Sequence, residues 1–349
     1  MKSLITHTLA MAGGAFLLAS TTIGAFAADL PIPVPLEEGA QAAMDTIKAN
    51  PDGKYRVAYM PPATEFNYYL AIGEGIKSVA KEKGVETFML APQSGADING
   101  QMGMMQDVLT QNVDAVIFST HDEFAAAPLV KRAVDQGIAV IMVNSDIPKF
   151  PTPIHAVVGY SQRNATRKLA DYIVPKVADM DIKLGVLEGQ PGWHSTERVG
   201  GFLDGVKDAT NFEVVASVDG KWNVEGGNTA AMDILQSHPE VNMLFGANDY
   251  EAIGASYATK AMGRKDVMIV GNDGDTTGLE EIYAGNITAS VNTRPFYMGT
   301  VAMNVALEAL RGAATGGWYE IPTEVIHKDN VLQVLQNPAQ LYPAPSKEY

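Results

Sequence analysis

Along the chain, short apolar runs alternate with longer stretches whose apolar residues recur every three or four positions. From Tyr55 the runs Arg56–Met60, Val85–Leu90, Ala115–Phe118 and Ala139–Val143 are rich in large aliphatic and aromatic residues. Strands buried on both faces of a parallel sheet have this look. Between them, about Tyr68–Lys83, Ile98–Gln111 and Ala126–Gln136 have helical spacing. Gly84 and Gly137 stand just past two of these helices, where a left-handed cap favours glycine. A second round starts at about Ser161, with helix Arg163–Val177, strand Lys183–Leu187, helix Glu197–Ala209, strand Glu213–Val218 and helix Glu225–Gln236. It continues into Met243–Asp275, where strands Met243–Phe245 and Val267–Val270 flank a helix marked by Ala252, Ala255, Ala258 and Met262. The pattern predicts an α/β protein of two parallel-sheet domains of similar design.

The joins between the rounds shape this picture further. His155–Gly159 and Ala289–Asn292 are strand-like, and helix Phe296–Arg311 with a strand near Trp318–Ile321 can return to the first domain. Three crossings between lobes make a hinge rather than a single linker. The first lobe is expected at 54–156 plus 295–321, and the second at 157–294 plus 322–349. Upstream, residues 28–53 form an arm expected to lie on the first domain. It opens with alternating prolines, then has a short helix at about Glu37–Ala49 before the Pro51-Asp52-Gly53 turn.

Composition adds little to the fold but restricts function. A chain of 349 residues with no Cys can bury enough surface without disulfides. A formal charge of −15 opposes nucleic-acid binding, which needs clustered Lys and Arg against phosphates. A lone Lys2, the uncharged stretch Leu9–Ala28 and the Ala25-Phe26-Ala27 pattern describe a secretory signal peptide at 1–27. Gly13, Gly14, Ser20, Thr21, Thr22 and Gly24 break the apolar run, and no basic flank follows, unlike a retained anchor. The mature chain is expected to be exported and soluble.

In open α/β sheets a ligand crevice lies outside the carboxyl ends of the strands. The tips here carry Asn248 and Asp249 after one strand, and Asn272 and Asp273 after the next. Helix capping explains one such residue per tip more easily than two, so a site for a hydroxyl-bearing molecule is the reading taken. Other tips carry Phe66-Asn67-Tyr68-Tyr69, Ser119-Thr120-His121-Asp122, Asn144-Ser145-Asp146, Trp193-His194-Ser195-Thr196-Glu197-Arg198 and Lys221-Trp222-Asn223. Helical spacing cannot put Phe66, Tyr68 and Tyr69 on one buried face, so at least one should look into the cleft. Aromatic faces stack on sugar C–H faces, and Asn, Asp and Arg make paired hydrogen bonds to hydroxyls. Arg198 is followed by Val199-Gly200-Gly201-Phe202 on an apparently buried helix and is read as a cleft residue; its alternative is a surface ion pair with Glu197 or Asp204.

Catalytic and metal patterns are thin. Asp273-Gly274-Asp275 opens like a calcium loop, but its twelfth position is Ala284 instead of Glu. His194-Ser195 lacks the setting of a nucleophile elbow, no zinc-ligand spacing occurs, and no G-x-G-x-x-G follows a strand. No cofactor or metal is expected. A hydrolase using Asp122 with Asp273, or Glu188 with Asp273, is the rival of a different class.

Three strings, Glu197–Phe202, Phe245–Ala255 and Val270–Gly274, together with the signal peptide and three crossings, resemble the type I periplasmic sugar-binding proteins of ABC transporters, the ribose/galactose-binding group. The likeness runs from about Tyr55 to Asn330. It implies two Rossmann-like lobes closing by hinge motion on a sugar or polyol, a periplasmic monomer, and delivery to a membrane permease or a signal to a chemoreceptor. By position, it implies that Arg198, Asn248 and Asp273 hydrogen-bond the ligand and that Trp222 stacks on its ring. It also implies that Tyr68 and Tyr69 close the other face and that the hinge segment Asn292-Thr293-Arg294 adds a polar contact through Thr293. Ribose-type members carry Asp-Arg where this chain has Asn144-Ser145-Asp146. That departure argues against an ordinary aldopentose or aldohexose and leaves open a sugar alcohol, a deoxy or branched sugar, or a furanosyl signal of the autoinducer-2 kind.

Overall fold

The computed structural model describes residues 30–50, 52–313 and 316–349, so the signal peptide expected at 1–27 lies outside the described residues. The first round comprises β1 (Arg56–Met60), α1 (Asn67–Lys83), β2 (Glu86–Met89), α2 (Ile98–Val108), β3 (Ala115–Phe118), α3 (Glu123–Gln136), β4 (Ala139–Val143) and β5 (Ala156–Gly159). The second comprises α4 (Gln162–Ile173), β6 (Ile182–Glu188), α5 (Trp193–Val206), β7 (Phe212–Asp219), α6 (Val224–Ser237), β8 (Met243–Gly246), α7 (Asp249–Ala261), β9 (Met268–Val270), α8 (Thr276–Ala284) and β10 (Ala289–Asn292). Then follow α9 (Pro295–Leu310), β11 (Gly317–Glu320), β12 (Glu324–His327) and α10 (Val331–Leu335).

The strands form two six-stranded sheets, ordered β11-β5-β4-β3-β1-β2 and β12-β10-β9-β8-β6-β7. All pairings are parallel except that of β12 with β10. Alternation along β1 shows why its run is continuously apolar. Val57 and Tyr59 enter one core while Ala58 and Met60 enter the other, so both faces of the sheet are covered. Gly84 and Gly137 cap α1 and α3 in the left-handed conformation, at φ of 68° and 85°.

The chain passes between sheets at residues 160–161, 293–294 and 321–323. β5 stays in the first sheet to Gly159, three residues beyond the position 156 expected for that lobe's end. After the second passage α9 packs on α1 at van der Waals distance. A Cβ on Gly75 would meet Phe296 O at 2.0 Å, and one on Gly299 would meet Ile72 O at 2.0 Å. Only glycines allow that approach.

The helix expected at Glu37–Ala49 is corrected: only Met44–Thr46 forms a single 3-10 turn. Gly39 turns the chain at φ 78°, and the flanking backbone pairs with neighbouring segments instead. Val34 exchanges hydrogen bonds with Trp318 (2.8 and 2.7 Å), while Ala42 N donates to Ile154 O and Ile154 N to Ala40 O. Those backbone groups are satisfied by the first lobe, so a helix would gain nothing.

Candidate functional site

The carboxyl ends of both sheets face each other and enclose a cavity of about 350 Å³, its open mouth included. Phe66, Tyr68, Tyr69, His121 and Asn144 reach it from the first lobe. His194, Arg198, Trp222, Asn248, Tyr250 and Asp273 reach it from the second.

Arg198 enters because Ser195, Arg198 and Phe202 share the buried stripe of α5. Phe202 anchors the helix by stacking on Phe245 at 4.4 Å, with planes 6° apart. Arg198 as a whole is 4% exposed. Its Nη1 donates to Asp273 Oδ1 (3.0 Å) and Ala247 O (3.1 Å), and its Nε donates to Gln162 Oε1 (2.8 Å). Nη2 has no protein partner among the described residues. The surface alternative belongs to a different arginine, for Glu197 and Asp204 pair with Arg163 at 3.6 and 2.7 Å.

Burial works against the Arg198 charge, but Tyr160, Asp273 and the nearby phenols more than offset it and hold its pKa above the ordinary value. Asp273 is raised to about 7, chiefly by burial and further by Asp275, against the lowering pull of Arg198. The pair is therefore one fixed cation beside one carboxyl that titrates near neutrality.

The aromatic wall is drawn from both lobes. Phe66 is the residue before α1 and not part of it, so the helical-spacing argument does not bind it, and all three aromatics of the string line the cavity. Phe66 lies edge-on to Tyr69 and His121 and tilted to Tyr250, all at about 6 Å. Tyr68 donates to Asn144 Oδ1 (3.0 Å), while Asn144 Nδ2 donates to the Tyr69 hydroxyl (3.2 Å). Trp222 closes the opposite side, stacked on His121 at 6.5 Å. Lys221 and Trp222 both adopt left-handed backbone, at φ 59° and 63°, which for such residues is strained and over-determined by neighbours. One neighbour is Gly189, whose added Cβ would sit 2.0 Å from the indole.

His121, His194 and Tyr250 line the cavity, although the sequence reading singles out none of them as a ligand contact. Their strand-tip position was the available signal. Burial lowers His121 to about 4 and His194 well below its usual value, so both rings are neutral near pH 7. Gly95 O can only accept, so His121 Nδ1 donates to it and Nε2 is left as an acceptor. Arg198 fixes Gln162 Oε1, which turns the Gln162 amide nitrogen to His194 Nδ1 and leaves Nε2–H on His194 as a donor. No sequence signal marked Gln162.

The paired tip residues divide their tasks. Asn248 faces the cavity and also caps α7, accepting from Glu251 N (2.8 Å) and donating to Trp222 O (3.0 Å). Asp249 points away, accepting from Gly274 N (2.8 Å), Asp275 N (3.3 Å) and the Ser290 hydroxyl. Asn272 donates to Tyr160. Asp273 alone of that second pair reaches the cavity.

Four residues expected as ligand contacts stand beside the cavity and not in it: Asn67, Asp146, Trp193 and Thr293. Trp193 Nε1 donates to Asp146 Oδ1 across the cleft (2.8 Å), and Gln162 N donates to Asp146 Oδ2 (2.9 Å). Their polar atoms are used by each other. Asn67 donates its backbone N–H to Tyr250 (2.9 Å), and Thr293 lies behind Tyr68 at 2.8 Å from its hydroxyl. The carboxylate pairs of the hydrolase reading do not meet here, since neither Asp122 nor Glu188 lines the inner cavity. Asp122 caps α3 through Ala125 N.

Residues 57–314 match the periplasmic binding protein domain family. The D-ribose/D-allose-binding protein of Pseudomonas aeruginosa is 26% identical over 299 residues, covering 81% of this chain and 92% of that protein. An ABC transporter periplasmic solute binding protein from Actinobacillus succinogenes, solved with bound D-allose, has a TM-score of 0.75 at 23% identity, covering 80% of this chain and 100% of that one. A solute binding protein from Bacillus halodurans with bound myo-inositol gives 0.74 at 22% identity, over 82% and 99%.

Proposed function

This chain belongs to the periplasmic binding protein family, and from that premise we propose that it captures a neutral sugar or polyol between its lobes and delivers it to the permease of an ABC importer. The family and its relatives are binding proteins for transport, so the chain is a binder and not an enzyme. A periplasmic location follows from the family; cleavage near Ala27 and action as a monomer are parts of this proposal. The lobes, on this reading, close about the three inter-sheet passages.

The observation that carries the reading is the cavity itself, where aromatic rings of both lobes surround the Arg198–Asp273 pair. One cation faces one carboxyl, and the two histidines are neutral. A sugar acid or phosphate would meet Asp273 and an amine would meet Arg198, each leaving a buried charge uncompensated. Hydroxyls, which both donate and accept, suit the free Nη2, Asp273 and the two imidazoles. The ligands reported for relatives, ribose, allose and myo-inositol, are of this class.

A thermal-shift screen of pentoses, hexoses and polyols tests it. A true ligand at a hundred times its Kd should add ~2.7 kcal/mol by mass action. Stabilisation by sugar acids or sugar phosphates alone would sink the neutral-ligand reading.

Affinity should also depend on pH with a predictable sign. Ligand hydroxyls that donate to Asp273 favour its ionised form, so below about 7 a proton must leave before binding. Affinity is expected to rise from pH 5.5 to 8 and then level, by up to roughly tenfold per unit below the pKa. Stability of the free protein moves oppositely. A carboxyl raised to about 7 favours the folded state at low pH, and that contribution is lost as pH rises through about 7. Calorimetry across this range that finds flat affinity would remove Asp273 as the hydroxyl acceptor.

A further inference from the structure

We infer that the site extends beyond one ring: a second, outer cavity takes a further neutral sugar unit, so the preferred ligand is a disaccharide or glycoside. The inference rests on the reading that the inner cavity holds a sugar or polyol.

The outer cavity spans about 590 Å³ by the same measure as the inner 350 Å³, and the two share His121, His194 and Trp222 as their common wall. Measured alike, open mouths included, the outer cavity is the roomier of the two, so it is not a mere neck of the inner one. Strand order gives its direction. The hinge lies at the β5/β11 and β10/β12 edges of the sheets, whereas the outer cavity is lined from the tips of β2, β3, β6 and β7 at the far edges. A ligand lying along the crevice away from the hinge passes from the inner cavity into the outer one. The partition rings offer opposite hydrogen-bonding atoms there, an acceptor on His121 and a donor on His194.

The walls of the outer cavity also come from both lobes. Ala96 and Ile98 of the first lobe are joined there by Pro191 and Trp193 of the second. Trp193 is tethered through its Nε1 to Asp146, which fixes the indole while leaving its apolar surface for C–H contact. Gln190 supplies an amide, and Asp122 is the one acidic side chain of that lining. A phosphate or uronate there would meet that carboxylate with no cation to offset it. A neutral hexose or pentose unit meets apolar surface, an amide and one acceptor.

The test measures, by calorimetry, monosaccharides and inositol against disaccharides and methyl glycosides carrying the same ring. It is run on the wild type, on Ala96→Trp, which fills the outer cavity from an exposed loop position, and on Gln190→Ala. An extended ligand should bind at least about tenfold tighter than its parent ring. Ala96→Trp should erase that gain while changing parent-ring affinity less than about twofold, and Gln190→Ala should remove part of it. Parent rings that bind while every extended partner binds no better, or is excluded, overturn the inference alone. Failure of every ring and every extended sugar to bind would overturn the sugar reading as well.

Discussion

Replacing Arg198 with alanine is expected to weaken ligand binding by two orders of magnitude or more. Hydrogen bonds from a charged donor contribute ~1.5–3 kcal/mol each, and the free Nη2 is such a donor. The change also releases Gln162 Oε1, whose hold on the amide sets the donor at His194, so a second contact is lost with the first. The fold should suffer less than a broken buried ion pair commonly implies. Such breaks cost ~3–5 kcal/mol when the remaining charge has no escape. Asp273, already raised to about 7, can instead take a proton. Arg198→Lys should recover little, because an ammonium cannot reach Gln162, Asp273, Ala247 and the ligand in one plane. Titration calorimetry with the best ligand, beside a urea melt of each variant, separates the effects. Near-wild-type affinity in Arg198→Ala would remove the main support of the site.

The sequence signals that succeeded were those with a physical period. Strands such as Ala115–Phe118 and Ala139–Val143 were legible to the residue because sheets covered on both faces demand unbroken apolar runs. Arg198 was legible because a charge beside Phe202 on a buried helix face needs a partner, and the partner is Asp273. The arm at Glu37–Ala49 failed for the reverse reason: its backbone bonds go to Ile154, a partner more than a hundred residues away that local pattern cannot reveal. Asp146 and Trp193 have the position and chemistry of ligand contacts, yet Trp193 Nε1 donates to Asp146 across the cleft, a pairing visible only in three dimensions. Asn248 showed that capping and site were not exclusive readings, since one amide does both.

Asp249→Ala should have the opposite profile to Arg198→Ala, damaging the fold far more than any direct ligand contact. The side chain is fully buried, and its oxygens accept from Gly274 N, Asp275 N and the Ser290 hydroxyl. Glycines make room for it: an added Cβ on Gly271 would sit 2.7 Å from Oδ1, and one on Gly278 2.5 Å from Oδ2. Burial, with Asp273 and Asp275 close by, raises its pKa well above the usual range, so the carboxyl is held by its donors and not by a counter-ion. Alanine would leave two amides and a hydroxyl buried without partners, at ~1–3 kcal/mol for each group that water cannot reach. A loss of ~3–5 kcal/mol is expected, seen as a lower urea midpoint with unchanged slope. Asp249→Asn keeps the volume and one acceptor but turns an NH2 towards the donors, so it should lose an intermediate amount. The loop these bonds hold carries Asp273 into the cavity, and ligand should therefore restore part of the lost stability. A urea midpoint at the wild-type value in Asp249→Ala would mean that the loop holds its shape without the carboxyl, and that the scaffold role assigned to Asp249 is wrong.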